Sequence, residues 1–349
     1  MIPSIRKLFL TAAMTLAIGS AASAETWKFA TEEDKNDVQD IFAKTFAETI
    51  KEESGGDIKV RIFYYGQLGT ENDIVELTAK GTLQFVSVGT GHLGSYIPEV
   101  QALSLPYVLG TDVDVVRKIL TGSKTIYSQL SDRFEKANLK LLTMISEGEM
   151  AWGANKAIRT PEDFSGQKIR TFTSTIPVET YKAFGATPTP LSWGEVYGAL
   201  QLKTVDGMVN PVYFIYNAKW HEVQDYLMFP GQQPYVGTVS TNSKWFNALS
   251  EEKQAMVHKA ITVAEQAAHD YQLEINRENM AKIQTERPDL EVVILNDDER
   301  SRFKDLSAAL HETFYNVVEN AYAESEKSDA RENAKGILES LIQEVKDAS

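Results

Sequence analysis

Apolar and polar positions alternate in two rhythms along this chain. Near its start, TWKFATEE places Trp27 and Phe29 two residues apart, which predicts a short strand ending at an acidic turn. DVQDIFAKTFAETIKEESGG then puts Ile41, Phe42, Thr45, Phe46 and Ile50 on one helical face and stops at Gly55-Gly56. DIKVRIFYY is rich in β-branched and aromatic residues and predicts a second strand, TENDIVELTAKGT a helix ending at Gly81, and LQFVSVG a third strand. This β-α-β-α-β order predicts a mostly parallel sheet with helices on both faces.

The pattern continues with helices in DVDVVRKILTG and IYSQLSDRFEKAN and strands in LKLLTMISEG and MAWGANK. A turn and strand come next in TPEDFSGQKIRTF, then a helix in IPVETYKAFGA. Ser192 and Glu195 have capping-box spacing, so a helix is expected from Trp193. TVDGMVNP, TVSTNSKWF and LEVVILN read as strands. From the cap Ser250 one helix is expected to run about 35 residues, longer than an ordinary globular helix. The C-terminus is helical. No Pro/Ser-rich linker marks a boundary, so element order suggests two α/β lobes: 25–148 with 239–285, and 149–238 with 286–349, which includes the C-terminal helices. A ligand cleft would lie between them, at the carboxyl ends of the strands.

The first 24 residues change the picture of where the protein works. Arg6 and Lys7 precede an apolar run from Leu8 to Ile18 and small residues ending Ala-Ser-Ala. This is the pattern of a secretory signal peptide cleaved between Ala24 and Glu25. The run is short of the ~20 residues that span a bilayer. Cleavage would take the net charge from −14 to −16, since Arg6 and Lys7 leave. An exported acidic chain is a poor partner for nucleic acid or anionic membranes. With no cysteine it has neither disulfides nor thiolate chemistry.

Catalytic and metal-binding patterns are absent from the sequence. GTGHLG, Gly89 to Gly94, matches G-x-G-x-x-G, but Pro98 and Pro106 interrupt the segment after it, where a helix would have to open. A tight turn with close backbone approach explains it better than a dinucleotide site. The five histidines are scattered, and no Cys/His/Asp grouping has zinc or calcium spacing, so no metal and no cofactor are expected. Glu147 and Glu149 could form a carboxylate pair, but a solvated strand edge is the plainer reading. Arg170 ends a strand that should point into the cleft, either to capture a carboxylate or to form an internal salt bridge.

The stretch KIRTFTSTIPVETYKAFGATPTPLSWGEVYGALQLKTVDGMVNP, Lys168 to Pro211, resembles the solute-binding proteins of tripartite ATP-independent periplasmic (TRAP) transporters. The FYYGQLG turn, the LPY at Leu105 to Tyr107 and the long helix from Ser250 extend the likeness over nearly the whole chain. The resemblance implies a two-lobed, class II-like periplasmic binding protein with an interlobe cleft and a long helix across both lobes. It also implies delivery of the solute to membrane permease subunits driven by an ion gradient; a monomer is expected. ATEEDKNDVQD, EGEM and ETYKAFGATPTPLSWGEVYG are similar to the ectoine and hydroxyectoine branch. By that likeness Glu33 meets a cationic ring, Arg170 and Asn210 hold the carboxylate, and Trp193 is one of the sandwiching aromatics. On the residues alone, Glu33 is equally a solvated turn acid, Asn210 a turn residue and Trp193 a core ring.

The chain departs from that branch at other ring positions. His92 stands where phenylalanine is expected, Phe214 where tryptophan is, and Tyr235 where phenylalanine is. The crossing strand, EMAWGAN, lacks the second basic residue that many relatives carry. A dianion would leave one charge poorly paired in a closing cleft, which is costly. The expected ligand is therefore a small carboxylate with a compensating positive group, of ectoine type. Hydroxy and keto acids, C4-dicarboxylates, sugar acids and sulfonates are the alternatives within the class. An exported α/β enzyme using Glu147, Glu149 and His92, or a purely structural or sensory protein, is the alternative outside it.

Overall fold

The computed structural model describes residues 24–349; the expected signal peptide lies outside them but for Ala24. Eleven strands are described: β1 (Glu25–Thr31), β2 (Ile58–Phe63), β3 (Phe85–Gly89), β4 (Leu139–Glu149), β5 (Ala151–Ala154), β6 (Lys168–Thr171), β7 (Thr187–Pro190), β8 (Gly207–Asn210), β9 (Tyr226–Phe229), β10 (Pro234–Asn242) and β11 (Glu291–Ile294). They form two sheets, in the orders β2-β1-β3-β10-β4 and β11-β9-β5-β8-β6-β7. The fold is the expected two-sheet α/β architecture.

Both sheets are mixed rather than mostly parallel. β1 runs parallel to β2 and β3, and β6 to β7 and β8, as β-α-β units require. β10 runs against β3 and β4, and β5 against β8 and β9. These antiparallel strands are the ones by which the chain crosses between the sheets and returns. β4 leads into β5 through Met150 alone, and the return enters β10 at Pro234, opposite Glu149. The Met150 amide donates to the Gln233 carbonyl at 3.0 Å, tying the two crossings together. By sheet membership the crossings therefore fall at 149/151 and 233/234. The expected 238/239 boundary cuts through β10, whose alternation is hidden because all nine of its residues are buried.

The first sheet carries one apolar layer on each face. On one, Trp27, Phe29, Phe42, Phe46 and Phe85 pack edge to face, tilted or, for Phe29 and Phe85, stacked, together with the helix Val38–Glu53. Each fully buried ring contributes roughly 1.5–3 kcal/mol. On the other, Val86, Val88, Leu141 and Met144 belong to one apolar cluster with Phe314 and Leu338 of the C-terminal helices, which pack over the intervening helical segments Pro98–Ser104 and Val113–Gly122. The helix Lys327–Ala348 thus packs on the first sheet's side, not with the second lobe, because its apolar stripe completes that layer.

The long helix is Glu251–Glu286, 36 residues, starting at the Ser250 cap as expected. Its rise of about 1.5 Å per residue gives a rod of roughly 54 Å. Val257, Ala260, Ala264 and Ala268 bury its first half against Val38–Glu53 and β4, and later turns reach the helix Val212–Asn217. Small residues allow the close approach. Where TVSTNSKWF was expected to stay extended, Asn242 accepts from the Trp245 amide at 2.9 Å and caps a short helix, Ser243–Asn247. β7, β9 and Val212–Asn217 were not foreseen.

Candidate functional site

Strand ends bring the site together. Arg170 lies in β6, fully buried, and Phe172 follows the strand. Asn210 closes β8, and Pro211 then leads the chain into Val212–Asn217, which carries Phe214. Trp193 opens a helical turn behind the capping box of Ser192 and Glu195. β3 runs into the short turn Thr90–Leu93 that carries His92, Tyr235 sits near the start of β10, and Glu32 follows β1. One small cavity is lined by Glu32, Glu71, His92, Arg170, Phe172, Trp193, Asn210, Phe214 and Tyr235. Six of the seven expected site residues meet there: His92, Arg170, Trp193, Asn210, Phe214 and Tyr235. Glu33 does not, and Glu32, Glu71 and Phe172 were missed.

The cavity has a cationic pole. Arg170 Nε and Nη2 donate to the Leu191 carbonyl at 3.2 and 3.0 Å, and Nη1 donates to Asn210 Oδ1 at 3.0 Å. No described carboxylate lies within 4.0 Å of the guanidinium, so the internal salt bridge is not formed. Its face covers the Phe172 ring at 4.7 Å. Burial lowers its pKa to about 10, opposed by Tyr235, Glu71 and Glu32, and it stays charged at neutral pH. Holding Asn210 by its oxygen leaves the amide nitrogen free to donate.

The opposite pole is acidic. Glu32 Oε1 accepts from the Tyr235 hydroxyl at 2.6 Å, the Gly89 amide at 2.6 Å and Gln39 Nε2 at 3.2 Å. Its Oε2 is buried with no partner. An orphaned buried acceptor is costly and points to a donor that arrives from outside. Burial raises the Glu32 carboxyl to about 8, opposed by its Tyr235 bond. Glu71 Oε1 accepts from the Trp193 amide at 3.3 Å. His92 is held edge-on to Phe172 at 5.3 Å, and burial lowers it to about 4, so it is a neutral imidazole.

Between the poles stand rings. Phe214 meets Trp193 at 4.9 Å and Tyr235 at 5.5 Å, and Tyr235 meets Phe172 at 5.6 Å. The GTGHLG glycines make room for two of them. A Cβ on Gly89 would lie 2.1 Å from the Tyr235 hydroxyl, and one on Gly91 2.9 Å from the Phe172 ring. The close-approach reading of that motif therefore holds, with site walls as the approaching groups.

Glu33 occupies a separate buried group. Its Oε1 accepts from the Tyr213 hydroxyl at 2.8 Å and its Oε2 from the Gln39 amide at 2.7 Å. Neighbours on a strand end face opposite sides, so Glu32 turns to the cavity and Glu33 away from it. Glu147 joins Glu33, accepting from Tyr213 at 2.7 Å, and is fully buried rather than a solvated edge. Gly148, at φ +118°, breaks the alternation there, and Glu149 instead accepts from the Gly231 amide at 2.9 Å. The enzyme reading's residues are thus dispersed over three places.

A two-sheet α/β body with a small bipolar cavity built from strand ends of both sheets defines a solute-binding protein. The model of the bacterial extracellular solute-binding protein family 7 (DctP) matches residues 29–317. The chain is 39% identical over 307 residues to the ectoine/5-hydroxyectoine-binding periplasmic protein UehA of Ruegeria pomeroyi, covering 88% of this chain and 90% of that one. It is 38% identical over 319 residues to the ectoine-binding periplasmic protein TeaA of Halomonas elongata, covering 89% and 92%. The solved structure of the Halomonas elongata protein superposes with a TM-score of 0.86 at 35% identity, over 93% of this chain and all of that one. The chain belongs to family 7 of the bacterial extracellular solute-binding proteins, a family of receptors that includes ectoine-binding members of TRAP transporters.

Proposed function

We propose that this protein is the periplasmic receptor of a TRAP transporter and binds an ectoine-type zwitterion between its two sheets. The observation that carries the reading is the cavity's bipolarity. A buried guanidinium without a carboxylate counter-ion stands at one pole, and a carboxyl oxygen without a donor at the other. A bound carboxylate accepts from Arg170 and from the Asn210 amide, and the ligand's cationic N–H group donates to Glu32 Oε2. Glu32 takes the part expected of Glu33. The rings of Phe172, Trp193, Phe214 and Tyr235 enclose the body between, and a cation against such faces gains ~0.5–2 kcal/mol. Neutral His92 offers a hydrogen bond to a hydroxyl.

The protein is exported through its first 24 residues, acts as a monomer without turnover, and passes its solute to permease subunits. Support for the compartment comes from the periplasmic relatives. A thermal-shift panel of ectoine, hydroxyectoine, succinate, lactate and pyruvate tests the ligand class. Ectoine or hydroxyectoine should stabilise most. Stabilisation by succinate and not by ectoine would transfer the assignment to an organic-acid receptor.

A further inference from the structure

The group that Glu33 joins lacks one hydrogen. Glu33 Oε2 has the Gln39 amide, and Glu147 Oε1 has Gln39 Nε2 at 3.0 Å. The remaining two oxygens, Glu33 Oε1 and Glu147 Oε2, both face the Tyr213 hydroxyl, which has a single hydrogen to give. No described lysine, arginine or histidine lies within 4.0 Å of either carboxyl. The ionisable groups packed around them are Asp37, Glu32, Tyr213 and Tyr235, none of them basic. From the long helix, the Asn276 amide donates to the Glu147 carbonyl at 2.9 Å. Two facing carboxylates without a cation cannot both stay ionised in a buried place.

The three residues come from three parts of the molecule. Glu33 follows β1 of the first sheet, Glu147 lies on the strand that crosses, and Tyr213 follows β8 of the second sheet. Separating the sheets withdraws Tyr213 and admits water to both acids, which then ionise. We propose that closing the cleft takes up one proton, held between Glu33 and Glu147 against Tyr213. This rests on the receptor reading and deepens it, for it makes solute capture depend on pH. Gln39 Nε2 also donates to Glu32, so the proton-holding pair and the ligand's acidic pole share one positioning side chain. Burial and the neighbouring Glu147 hold Glu33 well above the usual carboxylate range, and burial raises Glu147 too.

Linkage sets the sign. The closed form holds one more proton than the open form, so affinity falls as pH rises, by up to tenfold per pH unit between the open and closed carboxyl pKa values. Burial raises Glu32 to about 8 as well, so the titration is repeated on Glu32→Gln to separate its proton from that of the pair. Calorimetric titration with ectoine, repeated in buffers of different ionisation enthalpy, counts the protons. Wild type should take up about one per ectoine. Glu147→Gln puts an N–H where the proton stood and should take up none, with affinity flat between about pH 6 and 8. Heats independent of buffer in wild type, or an uptake unchanged in Glu147→Gln, would overturn the inference and leave the receptor intact. An absence of binding by ectoine and by the organic acids of the panel would instead overturn the receptor reading beneath it.

Discussion

Two acidic neighbours, Glu32 and Glu33, have opposite fates. Glu32 lines the candidate cavity with one oxygen unpartnered, whereas Glu33 spends both oxygens on Tyr213 and the Gln39 amide. Both are buried, so burial alone does not mark a ligand group. The difference lies in what is left unsatisfied. A buried group whose bonds close within the protein holds the fold in one arrangement, and one left open is placed for a molecule that arrives later.

Arg170 is the other open group, and removing it should break the comparison most severely. Arg170→Ala is expected to cost roughly 2–5 kcal/mol of ectoine binding in a folded protein, measured by calorimetry. Arg170→Lys should recover little, because a single ammonium point lacks the planar fork that spans Leu191, Asn210 and a carboxylate at once. Near-normal affinity in either would make Arg170 a structural residue like Glu33.

Acid should pull the two regions in opposite directions. The folded pKa of His92 is depressed to about 4 from an unfolded value near 6.5. Its neutral form is therefore favoured by folding, and the stability it contributes is full above the unfolded value and lost as pH falls from about 6.5 to 4. The loss is up to roughly 3 kcal/mol. Glu33 and Glu147, raised in the fold, gain over the pH range above the ordinary carboxylate value as pH falls through it. Denaturant titrations of wild type and His92→Phe should diverge over that interval, the variant losing less. Parallel curves would place His92 in contact with water.

Glu32→Gln and Glu33→Gln sharpen the contrast directly. The first should weaken ectoine by about 1.5–3 kcal/mol, the size of a hydrogen bond to a charged group, and spare lactate. The second should change ectoine affinity much less at a fixed low pH, where the carboxyl pair is protonated. A reversed order would restore Glu33 to the ligand. Smaller still is Trp193→Ala. The ring is half-buried between Phe214 and Trp220, so unliganded melting should stay within a few degrees while about 1–2 kcal/mol of ectoine affinity is lost. A large fall in unliganded melting with binding kept would make Trp193 a core ring.

Much of this was legible in the sequence where patterning is local. Strands β1 to β3, the helix after β1 and the Ser250 cap all announce themselves through alternation or capping residues. β10 did so only from Thr238, because a strand buried on both faces loses its alternation, and Asn242 turned the expected strand tail into a helix. Arg170 was readable as a residue near a strand end, whereas Asn210 and Trp193 entered through the family resemblance, because on the residues alone a turn residue and a core ring stayed open. Glu32 was missed by one residue: the acidic pair was visible, but which member faces the cleft depends on the strand's exit. The burial of Glu147 was hidden because Tyr213 and Glu33 approach it from elements 66 and 114 residues away in sequence.

In the proposed reading, Arg170 and Glu32 receive one negative and one positive group of the same small molecule. Native mass spectrometry of the purified protein, with any co-purified solute released and identified, puts that pairing to the test. A small carboxylated zwitterion of the ectoine class is expected, retained by wild type and lost from Arg170→Ala. A dicarboxylate retained by wild type would contradict it.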